Sequence, residues 1–147
     1  MITRRSVLLA GGIGLLVAHP LSRGQPAATI RRVGWLTLGS EASSAHLLAT
    51  LKEGMHTLGW QEGKNIEYRI VRTDGDMKRL DASAGEMLRQ NVDVIIVGNA
   101  PVARALQRAT NTVPIVMANI TNPVDIGLVA SLAKPGGNIT GIANLYD

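Results

Sequence analysis

No cysteine occurs in the 147 residues. That excludes a disulfide framework, a thiolate zinc site, a cysteine nucleophile and a lipid anchor on cysteine. Phenylalanine is missing too, and the aromatics reduce to Trp35, Trp60, Tyr68 and Tyr146. The core must therefore be aliphatic. An excess of one charge is also lacking once position is considered. The formal net charge is +4, but Arg4, Arg5 and Arg23 lie in an N-terminal stretch free of acids. The remaining chain holds twelve basic against eleven acidic residues. No basic stripe interleaved with aromatics is left, so nucleic acid is not an expected partner.

The equipment for chemistry is equally sparse. There is no Gly-x-Ser-x-Gly elbow and no Gly-Lys-Ser/Thr phosphate loop. His46 and His56 stand ten residues apart on one predicted helix. At about 100° per residue they leave from different faces, so they are not a metal pair. Asp74 and Asp76 flank a glycine as in an ordinary turn, with no further ligands at calcium-loop spacing. Glu41 and Asp125 are acids near strand ends without a catalytic companion in the sequence. No enzyme activity, metal or cofactor is expected.

What is present begins with an address. Arg4 and Arg5 precede an uncharged run, Val7 to Ala18, and Pro20 to Gly24 break any helix. This is the layout of a secretory signal peptide over residues 1–24, with cleavage expected after Gly24 or, alternatively, at Ala27 or Ala28. The run of 12 residues falls short of the roughly 20 needed to span a bilayer. Thr3-Arg4-Arg5-Ser6-Val7-Leu8-Leu9 resembles a twin-arginine export motif. Gly11-Gly12-Ile13-Gly14 follows no strand, so it is not read as a dinucleotide loop. Periplasmic localisation is expected.

Residues 25–147 form the expected domain. Strands are predicted over Arg31–Leu38, Ile66–Val71, Val92–Val97, Pro114–Ala118 and Ile139–Ile142, separated by helices. The first helix, Ala42–Leu58, repeats Leu48, Leu51, Met55 and Leu58 along one face and stops at Gly59. The second runs to Gln90 with Leu80, Ala84, Met87 and Leu88 inward. The third starts at Pro101, where a missing N–H is harmless, with Val102, Ala105, Leu106 and Ala109 inward. A fourth is predicted from Asn122-Pro123 to Ala133. The β-branched run Val92–Val97 reads as a strand covered on both faces. Such alternation implies an α/β fold, a doubly wound parallel sheet with helices on both faces.

In such sheets ligands bind beyond the carboxyl ends of the strands, where strand order reverses. That selects three loops and the candidate ligand-binding residues Gly39, Ser40, Gly98, Asn99, Ala100, Asn119, Thr121 and Asn122. The polar members are hydroxyls and amides, which hold a ligand by hydrogen bonds without titrating. Asn99 is expected to cap its helix, and the helix N-terminus beside it suits a carboxylate.

At the fourth predicted helix the sequence resembles a known family. Asn122-Pro123-Val124 followed by Gly127 to Gly141, with Pro135-Gly136-Gly137-Asn138 inside it, is similar to a stretch of the ABC-transporter substrate-binding family related to the tryptophan- and tyrosine-binding proteins. Leu58-Gly59-Trp60-Gln61-Glu62-Gly63-Lys64-Asn65-Ile66 resembles a second segment of that family. The resemblance implies a periplasmic-binding-protein fold of the first type: two lobes that close on a small, often amino-acid-like molecule and deliver it to an ABC permease. Asn99 stands where the family often has threonine or serine, and Asn122 where it often has aspartate, one charge fewer at the cleft. Members are about twice as long, as two ordinary domains require, so the chain corresponds to the first lobe. A half-cleft is expected to bind poorly alone and to dimerise through exposed cleft surface. The alternative is a single-lobe sensing or regulatory module without transport; the export signal separates the two, since a cytoplasmic regulator has no use for residues 1–24.

Overall fold

The computed structural model describes residues 29–145; the predicted signal peptide lies outside the described residues. Five strands form one parallel sheet: β1 (Arg31–Thr37), β2 (Ile66–Arg72), β3 (Val94–Val97), β4 (Ile115–Thr121) and β5 (Ile139–Asn144). Their order is β2-β1-β3-β4-β5. The chain steps from β1 outward to β2, then crosses back to β3 on the other side of β1, so strand order reverses between β1 and β3. Three α-helices connect them: α1 (Glu41–Thr57), α2 (Leu80–Arg89) and α3 (Ala100–Ala109).

The core is aliphatic, as the missing phenylalanine requires. Leu36, Ile95, Val97, Ile115, Met117 and Ile139 project from one sheet face. They meet Leu80, Ala84 and Met87 of α2 and Val102, Ala103, Ala105 and Leu106 of α3. Gly34 lets α2 approach, since a Cβ there would meet the Met87 sulfur at 2.6 Å. The opposite face carries α1 alone among the described helices. Met55 lies beside Val33 and Val94, and Leu51 beside Trp35 and Ile96. The Lys52 ammonium ties α1 to the β2 side, 2.7 Å from a Glu62 carboxylate oxygen and 5.1 Å from the Tyr68 ring centre. Burial, and secondarily the Glu62 charge, push the Tyr68 hydroxyl above its ordinary value.

Four expectations need correction. First, residues 122–133 are turns, with no helix. The chain coils once from Asn122, with Ile126 N–H donating to the Asn122 carbonyl, and Gly127 then turns left-handed at φ 67°. The Ile126, Gly127 and Leu128 carbonyls accept from Arg104 and Gln107 of α3 instead of from a continuing helix. Pro123, Leu128 and Val129 are buried by this coil, so tertiary packing overrode the helical spacing. Second, β3 is shorter than predicted and buried on alternate residues: Ile95 and Val97 fully, Val94 and Ile96 only half. Third, Leu58 lies outside the buried stripe of α1 and is 75% exposed, while Ser44 is the helix's buried residue. Fourth, Ala109 is exposed, and Ala103 takes its expected place inside α3.

Candidate functional site

The loops after β1 and β3 flank the strand-order reversal, and the end of β4 lies beside the second of them. Each is shaped by a local rule. After β1, Ser40 caps α1: its hydroxyl accepts from Ser43 N–H at 3.3 Å, while Ser44 Oγ donates to the Ser40 carbonyl at 2.6 Å. Gly39 N–H donates to Thr37 Oγ1 at 3.1 Å. After β3, Asn99 caps α3 in extended backbone, its side-chain oxygen accepting from Val102 N–H at 3.1 Å, with Pro101 in the first turn. The capping expectation for Asn99 therefore holds.

The end of β4 departs from its prediction in a way that bears on the site. The strand runs to Thr121, past the Ala118 expected, and its register with β5 slips between Ala118 and Ile120. Asn119 is the residue left over, with φ at 71°. Such an irregularity re-aims side chains beside binding sites, and asparagine tolerates the left-handed conformation better than most residues. Asn122 also has positive φ, at 41°. Its N–H donates to the Asn144 carbonyl at 2.9 Å, which ties the β4 exit to the end of β5.

These elements bring six of the eight predicted residues together. Gly98, Asn99, Ala100, Asn119, Thr121 and Asn122 line one open pocket of about 550 Å³. Ile120, Asp125 and Ile126 complete its wall. Gly39 and Ser40 are not part of that lining; they sit at the α1 end of the reversal. A second, more enclosed pocket of about 330 Å³ adjoins the first through shared Gly98 and Asn119. It is apolar, lined by Trp35, Leu47, Leu51, Ile96 and Ala118. The sequence reading missed this pocket. Its one legible signal was Trp35, a large aromatic two residues before the end of β1.

The arrangement is chemically simple. Amides, a hydroxyl, backbone N–H groups at the α3 N-terminus and one carboxylate, Asp125, surround the larger pocket. Among the described residues no group of three or more histidine, aspartate or glutamate side chains stands close enough to hold a metal ion. Replacing Asn99 by alanine is expected to cost about 1 kcal/mol of stability by removing the cap of α3. Serine in its place should recover most of that. Urea unfolding of both variants checks this; equal losses would mean the cap bond is not what Asn99 contributes.

A family model described as "ABC transporter substrate binding protein" matches residues 37–147, most of the chain. The chain belongs to that family. The chain is 36% identical over 86 residues to a tyrosine-binding protein of Clostridioides difficile (strain R20291). The match covers 58% of this chain and 25% of that relative. It also shares its fold with an ABC domain from Streptococcus pneumonia solved in complex with L-Trp. There the TM-score is 0.70 and the identity 26%, over 78% of this chain and 39% of the other. A conserved domain protein from Vibrio cholerae gives 0.72 and 31%, over 80% and 40%. The chain thus covers two fifths or less of the length of these relatives.

Proposed function

We propose that this chain is the first lobe of an extracytoplasmic solute receptor that holds an amino-acid-like molecule for an ABC permease, without transforming it. The observation that carries the reading is the pocket at the strand-order reversal, where amides and a helix N-terminus meet beside an apolar slot. A zwitterion with an apolar side chain suits that pairing of polar and greasy surface. The tyrosine-binding relative and the L-Trp complex support the ligand class. The family, and the signal peptide read from residues 1–24, support export to the periplasm. Gly39 and Ser40 belong to the proposed site as its far rim, which a closing second lobe would bring into use.

One lobe offers half a cleft, so the chain alone binds weakly. It is also proposed to pair with a second copy, starting at the exposed cleft surface. Calorimetric titration with L-tyrosine and L-tryptophan tests the binding. The expected dissociation constant is on the order of 1 mM, about −4 kcal/mol, and Asn119→Leu should abolish the heat. Micromolar affinity in a clean monomer would contradict the half-cleft account. Equal binding by Asn119→Leu would contradict the site.

A further inference from the structure

The pocket wall from Asn122 to Ile126 does not hold its shape by local preference. Asn122 and Gly127 both have positive φ, at 41° and 67°. Asparagine tolerates that conformation without preferring it. Within the coil, Gly127 N–H donates to the Val124 carbonyl and Leu128 N–H to the Pro123 carbonyl, each at 2.9 Å. Ala130 N–H turns away to the Pro135 carbonyl, also at 2.9 Å. In a continuing helix it would donate to the Ile126 carbonyl instead. The carbonyls of Ile126, Gly127 and Leu128 are thereby left for other donors, which half-buried backbone acceptors need.

Those donors come from α3. Ala100, Arg104 and Gln107 recur at spacings of four and three, which sets them on one face of the helix. Ala100 lines the pocket. Arg104 Nη2 donates to the Ile126 carbonyl. Gln107 Nε2 donates to the Gly127 and Leu128 carbonyls at 3.2 and 3.3 Å. Both side chains are half-buried, and neither lines the pocket. Arg104 thus acts on Ile126, a lining residue, through its backbone. The other end of the wall is tied to β5 by the Asn122 N–H. We propose that Arg104 and Gln107 are positioning residues for the strand-end pocket, fixing its Asn122–Ile126 wall against α3. The α3 N-terminus and the facing wall then keep their spacing before a ligand arrives, as a preorganised site requires. The ligand part of this rests on the solute reading above; the hold on the coil does not.

Amide hydrogen exchange of the full chain, read by NMR at Gly127, Leu128 and Ala130, tests the hold. Arg104→Ala combined with Gln107→Ala should speed exchange there about tenfold or more, the worth of one hydrogen bond from a charged donor. Ile95 and Ile115, whose N–H groups bond to Pro114 and Asn138 beside the sheet, should stay within about twofold. Arg104→Lys keeps a cationic donor and should restore most of the protection. Arg108→Ala removes the same charge from the same helix, but Arg108 pairs with Asp81 at 2.5 Å, so the coil should not respond. Gln107→Ala alone should give about threefold. It keeps the test open if the double variant unfolds, which fast exchange at Ile95 and Ile115 would reveal. L-Tryptophan titrated into the same samples should bind about tenfold more weakly to the double variant and unchanged to Arg108→Ala. Coil exchange unaltered in the double variant and in Gln107→Ala would overturn the proposal. So would a coil that opens while L-tryptophan affinity holds. Faster coil exchange without any L-tryptophan shifts in the unsubstituted chain would instead overturn the solute reading and support the hold on the coil.

Discussion

Gly141→Ala is expected to be the most damaging small substitution in the described chain. Gly141 sits in β5 at φ 138°, paired with Met117 of β4. A Cβ there would fall 2.1 Å from the Met117 carbonyl oxygen and 2.6 Å from its nitrogen. Both are backbone atoms fixed by the sheet, so no side chain can rotate away. The strained φ costs about 1–3 kcal/mol for a residue with a Cβ. Forced overpacking adds about 1–3 kcal/mol. Against a domain stability of about 5–15 kcal/mol, a loss of about 3 kcal/mol or more is a large part of the whole. The damage also reaches the site, because β5 holds the exit of β4 through the Asn144 carbonyl and Asn122 N–H. Gly54, inside α1 with nothing within 4 Å of its missing Cβ, is the control. Gly54→Ala should stabilise by about 0.5–1 kcal/mol. Urea midpoints that barely move for Gly141→Ala would show that β5 is not seated as described.

Leu106→Ala should cost almost as much for a different reason. Leu106 is fully buried among the residues that join α3 to α2 and the sheet. Truncation removes its transfer energy and leaves a cavity whose walls belong to rigid elements, for about 2–5 kcal/mol in total. Since α3 presents Asn99 and the following N–H groups to the pocket, the ligand binding proposed there should weaken with stability. Leu58→Ala offers the contrast: at 75% exposure its loss should stay within about 0.5 kcal/mol. Equal effects at the two leucines, measured by denaturant unfolding, would contradict the assignment of the core.

Much of this architecture was legible because local and global signals agree. Asn99 before Ala100-Pro101 spells a capped helix start, and Gly59 after the last turn of α1 spells its end, at φ 88°. The alternation of strand and helix implied the parallel sheet, and six of the eight residues chosen by the reversal rule line one pocket. What was not legible depends on contacts between distant segments. The stretch from Asn122 to Ala133 has helical spacing, but Arg104 and Gln107 take its carbonyls and Gly127 turns it. The extension of β4 to Thr121 is set by pairing with β5 across the slip at Asn119, which no spacing within β4 announces. The run Val92–Val97 reads as doubly buried because its residues suit burial on either face; that one face of the observed strand is half open follows from where α1 lies.

The central claim is that the strand-end pocket receives an amino-acid-like solute. Backbone amide NMR of the full chain, recorded while L-tyrosine or L-tryptophan is added, tests it most directly. The account predicts progressive, saturable shifts concentrated at Gly98–Ala100 and Asn119–Asn122, spreading to Trp35 and Ile96 along the apolar slot. Shifts confined instead to the cavity of Lys52, Trp60, Glu62 and Tyr68 on the far side of α1, or none at millimolar ligand, would contradict it.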